Sequence, residues 1–495
     1  MLEDIVTKTL HRMKVVCWYT GQILVWFSVI LISPLIFVVF YPDEVAHVPA
    51  FLIPTALSLL TGVFFRKLSN LEKTEVLSPQ EGTVVIVLAW VLMILFSALP
   101  FIVSGYLDFS QAIFEATSGW STTGLTMFTN VEVLPRVFLV WRSLMQFAGG
   151  AGIAVMMLAT LIGPLGTSLY SSEGRMDNIL PNITESARII MVIYSTYALF
   201  GVIALKLAGL PLFDAFNHSL TALATGGFST RNASVESFNN PTVEVILCVL
   251  MFLGATGFGI HYTLWKGNIK AFLKNGEPWL MGSIILASVL SLLPKARIVF
   301  GEKAFRYVAF QVISALTGTG FSNTNLVRWP SIFPTGVFLL TVLMTFGGMM
   351  DSTSGGVKQF RLLLMLKLIL HSIMRFVSPR RVVKKISVWK GDKQRFIDDE
   401  TVKNLLVFLG LYVVVYLVGS FTLMLFGFDP TRALFEFASA MNGVGLSVGI
   451  TNPDLPVGVI WTLILGMFLG RLEILVVFFA IARIIKDFKI VLTEA

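Results

Sequence analysis

Four stretches of this chain can be laid over one another once Gly124, Gly227, Gly320 and Gly445 are aligned. Leu125, Phe228, Phe321 and Leu446 follow these glycines, and then Thr126, Ser229, Ser322 and Ser447. Six residues before the glycines stand the hydroxyls of Ser118, Thr221, Ser314 and Ser439. Nine before them come Glu115, His218, Gln311 and Glu436, and ten before them Phe114, Asn217, Phe310 and Phe435, with Asn217 departing from the aromatic pattern. One Thr-x-Gly-Phe would carry little weight. The same frame repeated four times at roughly 100-residue intervals marks an internal repeat.

Each copy lies between apolar runs of the length that crosses a bilayer, about 20 residues. Such runs fall near 15–40, 49–65, 82–104, 134–162, 187–208, 241–265, 279–300, 331–373, 402–427 and 456–485. Hydrophobic residues make up 55% of the chain and charged residues 13%, whereas a soluble domain carries about 25% charged. The expected fold is an all-α polytopic membrane protein: four helix–pore loop–helix repeats around one central pore, plus an extra N-terminal helix pair. The helix pair would occupy 1–78, and the first, second and third repeats 79–180, 181–276 and 277–377. A basic loop and the fourth repeat would fill 378–495. The first apolar run is too long for a signal-peptide core and reads as a retained helix.

Ten crossings put both termini on one side. Lysines and arginines agree on which: Lys8, Arg12 and Lys14, then Arg66, Lys67 and Lys73, then Lys266, Lys270 and Lys274, the stretch from Arg375 to Lys403, and Arg483, Lys486 and Lys489. By the positive-inside rule these segments are cytoplasmic. Lys295, Arg297, Lys303 and Arg306 dissent. The net charge of +8 is thus a topology signal, and no nucleic-acid partner is expected. Cys17 and Cys248 offer no disulfide framework and no metal-ligand spacing.

An ion entering a membrane must exchange its water for other oxygens, and rings of backbone carbonyls can supply them. Aiming successive carbonyls at one axis takes unusual backbone angles, which glycine permits. Irregular backbone at membrane depth survives only where protein buries it or where it lines a wet cavity. The segments at 109–120, 214–223, 304–316 and 430–441 are too short to span and suit half-membrane pore helices, whose negative C-terminal ends favour a cation at the centre. Asp108, Asp214 and Asp429 near their starts read first as N-caps. Glu115 and Glu436 could either anchor the pore helices or add negative potential at the outer mouth.

Two further features suit a gate. The run at 331–373 is about twice the length of one crossing, and its centre holds Gly347, Gly348, Asp351, Ser352, Thr353, Ser354, Gly355 and Gly356. These residues describe either a loop outside the membrane or a break within it. Arg471 lies inside the last apolar run, where a guanidinium must face the bundle interior or a wet cavity. Glu473, two residues on, points elsewhere on a helix, and Asp351 is a candidate partner. The glycine runs 149–152 and 254–259 fit close helix packing.

The four loops, the N-terminal helix pair, the glycine-rich segment and Arg471 together resemble the Trk/Ktr/HKT superfamily of potassium transporters, in its TrkH type. The resemblance covers nearly the whole chain. It implies that the four repeats surround a single pore with potassium as the transported ion and no cofactor in the chain. The implied filter residues are Thr122, Thr123 and Gly124; Thr225, Gly226 and Gly227; Gly318, Thr319 and Gly320; and Gly443, Val444 and Gly445. Glycine rather than serine at position 124 implies potassium over sodium, while the fourth loop departs furthest from a threonine-containing filter. The resemblance places the glycine-rich segment within the membrane as a gate and Arg471 in the pore beneath the filter. It also implies a homodimer in the lipid of a prokaryotic inner membrane, seated on a cytosolic nucleotide-binding regulatory ring of TrkA type. The basic segments 266–274 and 375–403 are candidate docking surfaces for that ring. A proton- or sodium-coupled symporter and a less selective cation channel stay open as alternatives. An enzyme is not expected, because His11, His47, His218, His261 and His371 are scattered without a nucleophile–base constellation.

Overall fold

The computed structural model describes residues 2–69, 77–152, 155, 182–377, 386–390 and 393–494. Lys73, most of 153–162 and the basic stretch 378–385 lie outside the described residues. Counting helices of eight residues or more, the chain runs α1 (Leu2–Ile32), α2 (Val48–Ser69), α3 (Pro79–Val103), α4 (Phe109–Trp120) and α5 (Arg136–Ala151). It continues with α6 (Ile183–Leu207), α7 (Leu212–Leu223), α8 (Pro241–Gly254), α9 (Phe258–Trp265), α10 (Gly276–Phe300) and α11 (Ala304–Thr317). Then follow α12 (Pro334–Phe346), α13 (Gln359–Val377), α14 (Asp399–Leu425), α15 (Pro430–Met441), α16 (Val457–Arg471) and α17 (Ile474–Glu494). The protein is a helical polytopic membrane protein. A short antiparallel ribbon, β1 (Ser387–Lys390) and β2 (Lys393–Phe396), is the one strand pairing among the described residues.

Among the described residues six helices are long and apolar enough to cross a membrane, and counting each of two bent pairs as one span brings the number to eight. The remaining two apolar runs are the one at 134–162, of which only part is described, and the one at 331–373, which is interrupted. The helix pair α1–α2 closes on Gly21 and Gly62, each lying against the other's backbone carbonyl. Small residues at such a crossing let two backbones approach where lipid supplies no hydrophobic drive. Local sequence starts the helices. Ser78 and Glu81 form a capping box ahead of α3, with Pro79 at the first helical position, and Asp108 and Gln111 form another ahead of α4. Such caps satisfy N–H groups that a helix start leaves without partners.

Two apolar runs bend where an uninterrupted helix is expected. The run 241–265 turns by 103° between α8 and α9, and the last run turns by 101° between α16 and α17. Gly254 therefore marks a helix break rather than a packing contact alone. The backbone groups freed there are taken up by the glycine-rich segment: Met349 N–H donates to the Ala255 carbonyl and Phe258 N–H to that of Asp351. Gly149 and Gly150 do fit close packing, against Trp120 and Ala224.

Candidate functional site: a ring of four turns

The short helices α4, α7, α11 and α15 all end in the same way. The residue after the last turn takes positive φ: Thr122 (55°), Thr225 (51°), Gly318 (71°) and Gly443 (62°). Its N–H, and that of the next residue, reach back to the carbonyls of the last helical turn in all four copies. Thr123 N–H meets Ser118 O at 2.9 Å, Gly226 meets Thr221 at 2.8 Å, Thr319 meets Ser314 at 2.9 Å and Val444 meets Ser439 at 2.9 Å. This is the Schellman ending, which glycine adopts without steric cost. Thr122 and Thr225 hold it against a strain of about 1–3 kcal/mol each. Each threonine hydroxyl donates to the carbonyl just before it, at 2.7 Å.

Two residues further on, the anchors Gly124, Gly227, Gly320 and Gly445 return to positive φ, between 75° and 93°. Here glycine is required by a neighbour as well as by the angle. A Cβ on Gly124 would overlap the carbonyl of Gly226, one on Gly227 that of Thr319, one on Gly320 that of Val444, and one on Gly445 that of Thr123. The four contacts run from first turn to second, third, fourth and back to the first. The repeats therefore close into a ring, with backbone against backbone at every boundary.

Behind the ring, the polar residue nine before each anchor bonds the hydroxyl two after it. Thr126 Oγ donates to Glu115 at 3.0 Å, and His218 Nε2 lies 2.9 Å from Ser229 Oγ. Gln311 Nε2 donates to Ser322 Oγ at 3.0 Å, and Ser447 Oγ donates to Glu436 at 2.7 Å. The two glutamates are fully buried. They anchor the chain beyond the ring, Glu115 through Met127 N–H and Glu436 through Val448 and Thr451 N–H. Asp108 and Asp429 are N-caps, as expected. Asp214 is not: it sits within the first turn of α7 and pairs with Arg231 at 2.7 Å.

On one face of the ring opens a funnel of about 470 Å3, lined by all four anchors and the four hydroxyls after them. On the opposite face lies the glycine-rich segment between α12 and α13. It is inside the protein, with Ser352, Thr353 and Ser354 all buried. Thr353 Oγ meets Thr225 Oγ at 3.0 Å and donates to the Gly254 carbonyl at 2.9 Å. A Cβ on Gly355 would overlap the Asn442 carbonyl, and Gly318 lies against Ser354. The segment thus touches the second, third and fourth turns from below. Gly347 and Gly348 accept from Gln359, and Glu277 of α10 accepts from Met350 N–H at 2.8 Å.

Arg471 does not sit inside a helix. It ends α16 at the 101° bend, because the chain turns away at Leu472. Its guanidinium donates to the Gly149 carbonyl of α5. Arg471, Asp351 and Lys358 share one cavity beneath the ring, with about 50 Å3 of free space, enough for a few waters. Glu473 pairs instead with Arg361 at 2.9 Å. Among the described residues no group of three or more His, Cys, Asp or Glu could hold a metal ion. The oxygens that meet the anchor glycines around the ring are backbone carbonyls.

Residues not expected from sequence complete the site. Arg142 of α5, 3% exposed, pairs with Glu115 at 2.7 Å, donates to Ser229 O at 3.1 Å and lies 4.0 Å over the Phe228 ring. Gln146, one turn on, bonds Gly226 and Phe228. Glu244 of α8 pairs with Arg306 and accepts from Asn323. A charge within an apolar run singled out Arg471, and the same signal marks Arg142 within 134–162.

Residues 56–274 and 296–489 match the TrkH family of cation transport proteins. The chain is 31% identical to the Trk system potassium uptake protein TrkH of Halomonas elongata, over 92% of this chain and 96% of that protein. Against the protein of that name from Escherichia coli K12 the identity is 30%, over 92% and 95%. The crystal structure of the potassium transporter TrkH from Vibrio parahaemolyticus superimposes with a TM-score of 0.81 at 28% identity, covering 94% of this chain and 98% of that one. By these matches the chain belongs to the TrkH family of cation transport proteins.

Proposed function

We propose that this chain passes potassium ions across the cytoplasmic membrane of a prokaryote, through a pore whose narrowest part is the ring at Thr122–Gly124, Thr225–Gly227, Gly318–Gly320 and Gly443–Gly445. The observation that carries the reading is the closed cycle of glycine-to-carbonyl contacts. Four helix C-termini converge on that ring, and their dipoles favour a cation there. Carbonyl dipoles replace hydration without a fixed charge that would trap the ion. The family is one of transport proteins, not enzymes, and the relatives named above are potassium uptake proteins.

The gate in this reading is the segment Gly347–Gly356 together with Arg471. The segment blocks the ring from below by packing, and the guanidinium raises a barrier to cations in the cavity beneath. Further expectations belong to the same reading: both termini cytoplasmic, a homodimer, and a TrkA-type nucleotide-binding ring docked on 266–274 and 375–403. Purified protein in proteoliposomes tests the core of it. Uptake of radiolabelled rubidium should be competed by potassium and not by sodium, and Gly320→Ala should abolish it. Equal competition by both ions would remove the potassium assignment.

A further inference from the structure

Aligning the helices that follow the four turns shows one repeat out of step. The helices α5, α8, α12 and α16 share a pattern ending in Gly149, Gly254, Gly347 and Gly470. Three residues before that glycine stand Gln146, Met251, Met344 and Met467. Seven before it stand Arg142, Leu247, Leu340 and Leu463. Three repeats thus place Leu and Met, all buried, where the first places Arg and Gln. Burying these polar groups is costly unless each is bonded, so the exchange calls for partners.

Those partners lie in the second turn of the ring. Gln146 Nε2 donates to the Gly226 carbonyl at 2.6 Å, and its Oε1 accepts from Phe228 N–H at 3.0 Å. In the first and fourth repeats, a serine six before the anchor braces the turn instead, at other backbone groups. Ser118 accepts from Gly124 N–H and donates to Leu125 O, and Ser439 accepts from Gly445 N–H. Ser314 likewise donates to Phe321 O. In the second repeat the equivalent hydroxyl, Thr221, turns back to the Asn217 carbonyl. There Gln146 braces the turn from a different helix, at the carbonyl before the anchor and the N–H after it. Gly226 complies, because a Cβ there would come within 2.5 Å of Gln146 Oε1. The first, third and fourth turns carry Thr123, Thr319 and Val444 at that position.

We propose that Gln146 is a specificity-determining positioning residue: its carboxamide straddles the second turn and commits the Gly226 carbonyl, making one quarter of the ring a weaker cation ligand than the others. The inference rests on the ring being the filter. A carbonyl oxygen accepting a short bond from a buried amide offers less negative potential to an ion. Selectivity depends on the number and field strength of the coordinating dipoles. The neighbouring Arg142, bonded to Ser229 O, holds the outer end of the same turn.

The test compares reconstituted wild type, Gln146→Glu, Gln146→Met and Gly124→Ser by reversal potential between potassium and sodium solutions, with melting temperature in detergent reporting assembly. Gln146→Glu keeps the shape and removes the donor to Gly226. It should assemble, and its potassium-to-sodium permeability ratio should shift by about three- to tenfold, the ratio one net hydrogen bond corresponds to. Gln146→Met, the side chain of the other repeats, should shift it likewise and decides the matter if Gln146→Glu does not assemble. Total flux alone is not the readout, because a merely structural role would lower flux at constant ratio. An unchanged ratio in assembled Gln146 variants, with a changed ratio in Gly124→Ser, would overturn the inference and leave the filter standing. An unchanged ratio in Gly124→Ser would remove the filter itself, and the inference with it.

Discussion

Arg142 shows how much the ring depends on single side chains behind it. It is nearly solvent-free and bound to Glu115, Thr126 and Ser229, so it joins the short helix α4 to the first and second turns. Removing one partner of a buried ion pair leaves the other charge uncompensated. Glu115→Ala should therefore destabilise the protein by about 3–5 kcal/mol, read as a fall in melting temperature in detergent. An unchanged melting temperature would mean that the pair is not buried as described. Arg471 makes the opposite case. It lines a small cavity beneath the ring and donates to the Gly149 carbonyl. Arg471→Ala should raise basal flux by on the order of tenfold, the change that about 1.4 kcal/mol of barrier makes. Equal flux in reconstituted variant and wild type would contradict the barrier. Both arginines are visible in sequence as charges within apolar runs. Their partners are not, because Glu115 and Gly149 come from other helices.

At the scale of elements, the short helices α4, α7, α11 and α15 are the most legible part. Their observed bounds, such as Phe109–Trp120 and Pro430–Met441, follow the expected 109–120 and 430–441. A repeated frame and N-capping aspartates define them locally, and local signals survive reading from sequence alone. The broken helices were less legible. The bend after Gly254 is stabilised by Met349, Asp351 and Thr353, about a hundred residues away, and no local pattern announces it. Asp214 resembles a cap in sequence because proximity to a helix start is the same whether the carboxylate bonds N–H groups or Arg231. The glycine-rich segment packs so closely under the ring that Gly355 has no room for a side chain. Gly355→Ala should wedge it away from Asn442 and raise basal flux while sparing the permeability ratio. A ratio that changes instead would make the segment part of the filter.

The whole molecule is one chain doing what four subunits could do, and its inequalities follow from that. A symmetric assembly must repeat every contact; this chain carries Gln146 and Arg142 in one repeat and Met and Leu in the others. The ring's closure was foreshadowed by the repeat, since four half-membrane helices need a common axis. Which side chains stand behind each quarter depends on packing between repeats, which the residues around the anchors do not encode. The central claim is that the ring conducts potassium in preference to sodium. The most direct measurement is the reversal potential of purified, reconstituted protein between potassium and sodium solutions. The account predicts a current that reverses near the potassium equilibrium potential, with rubidium replacing potassium and sodium largely excluded. Reversal near zero with potassium on one side and sodium on the other would contradict it.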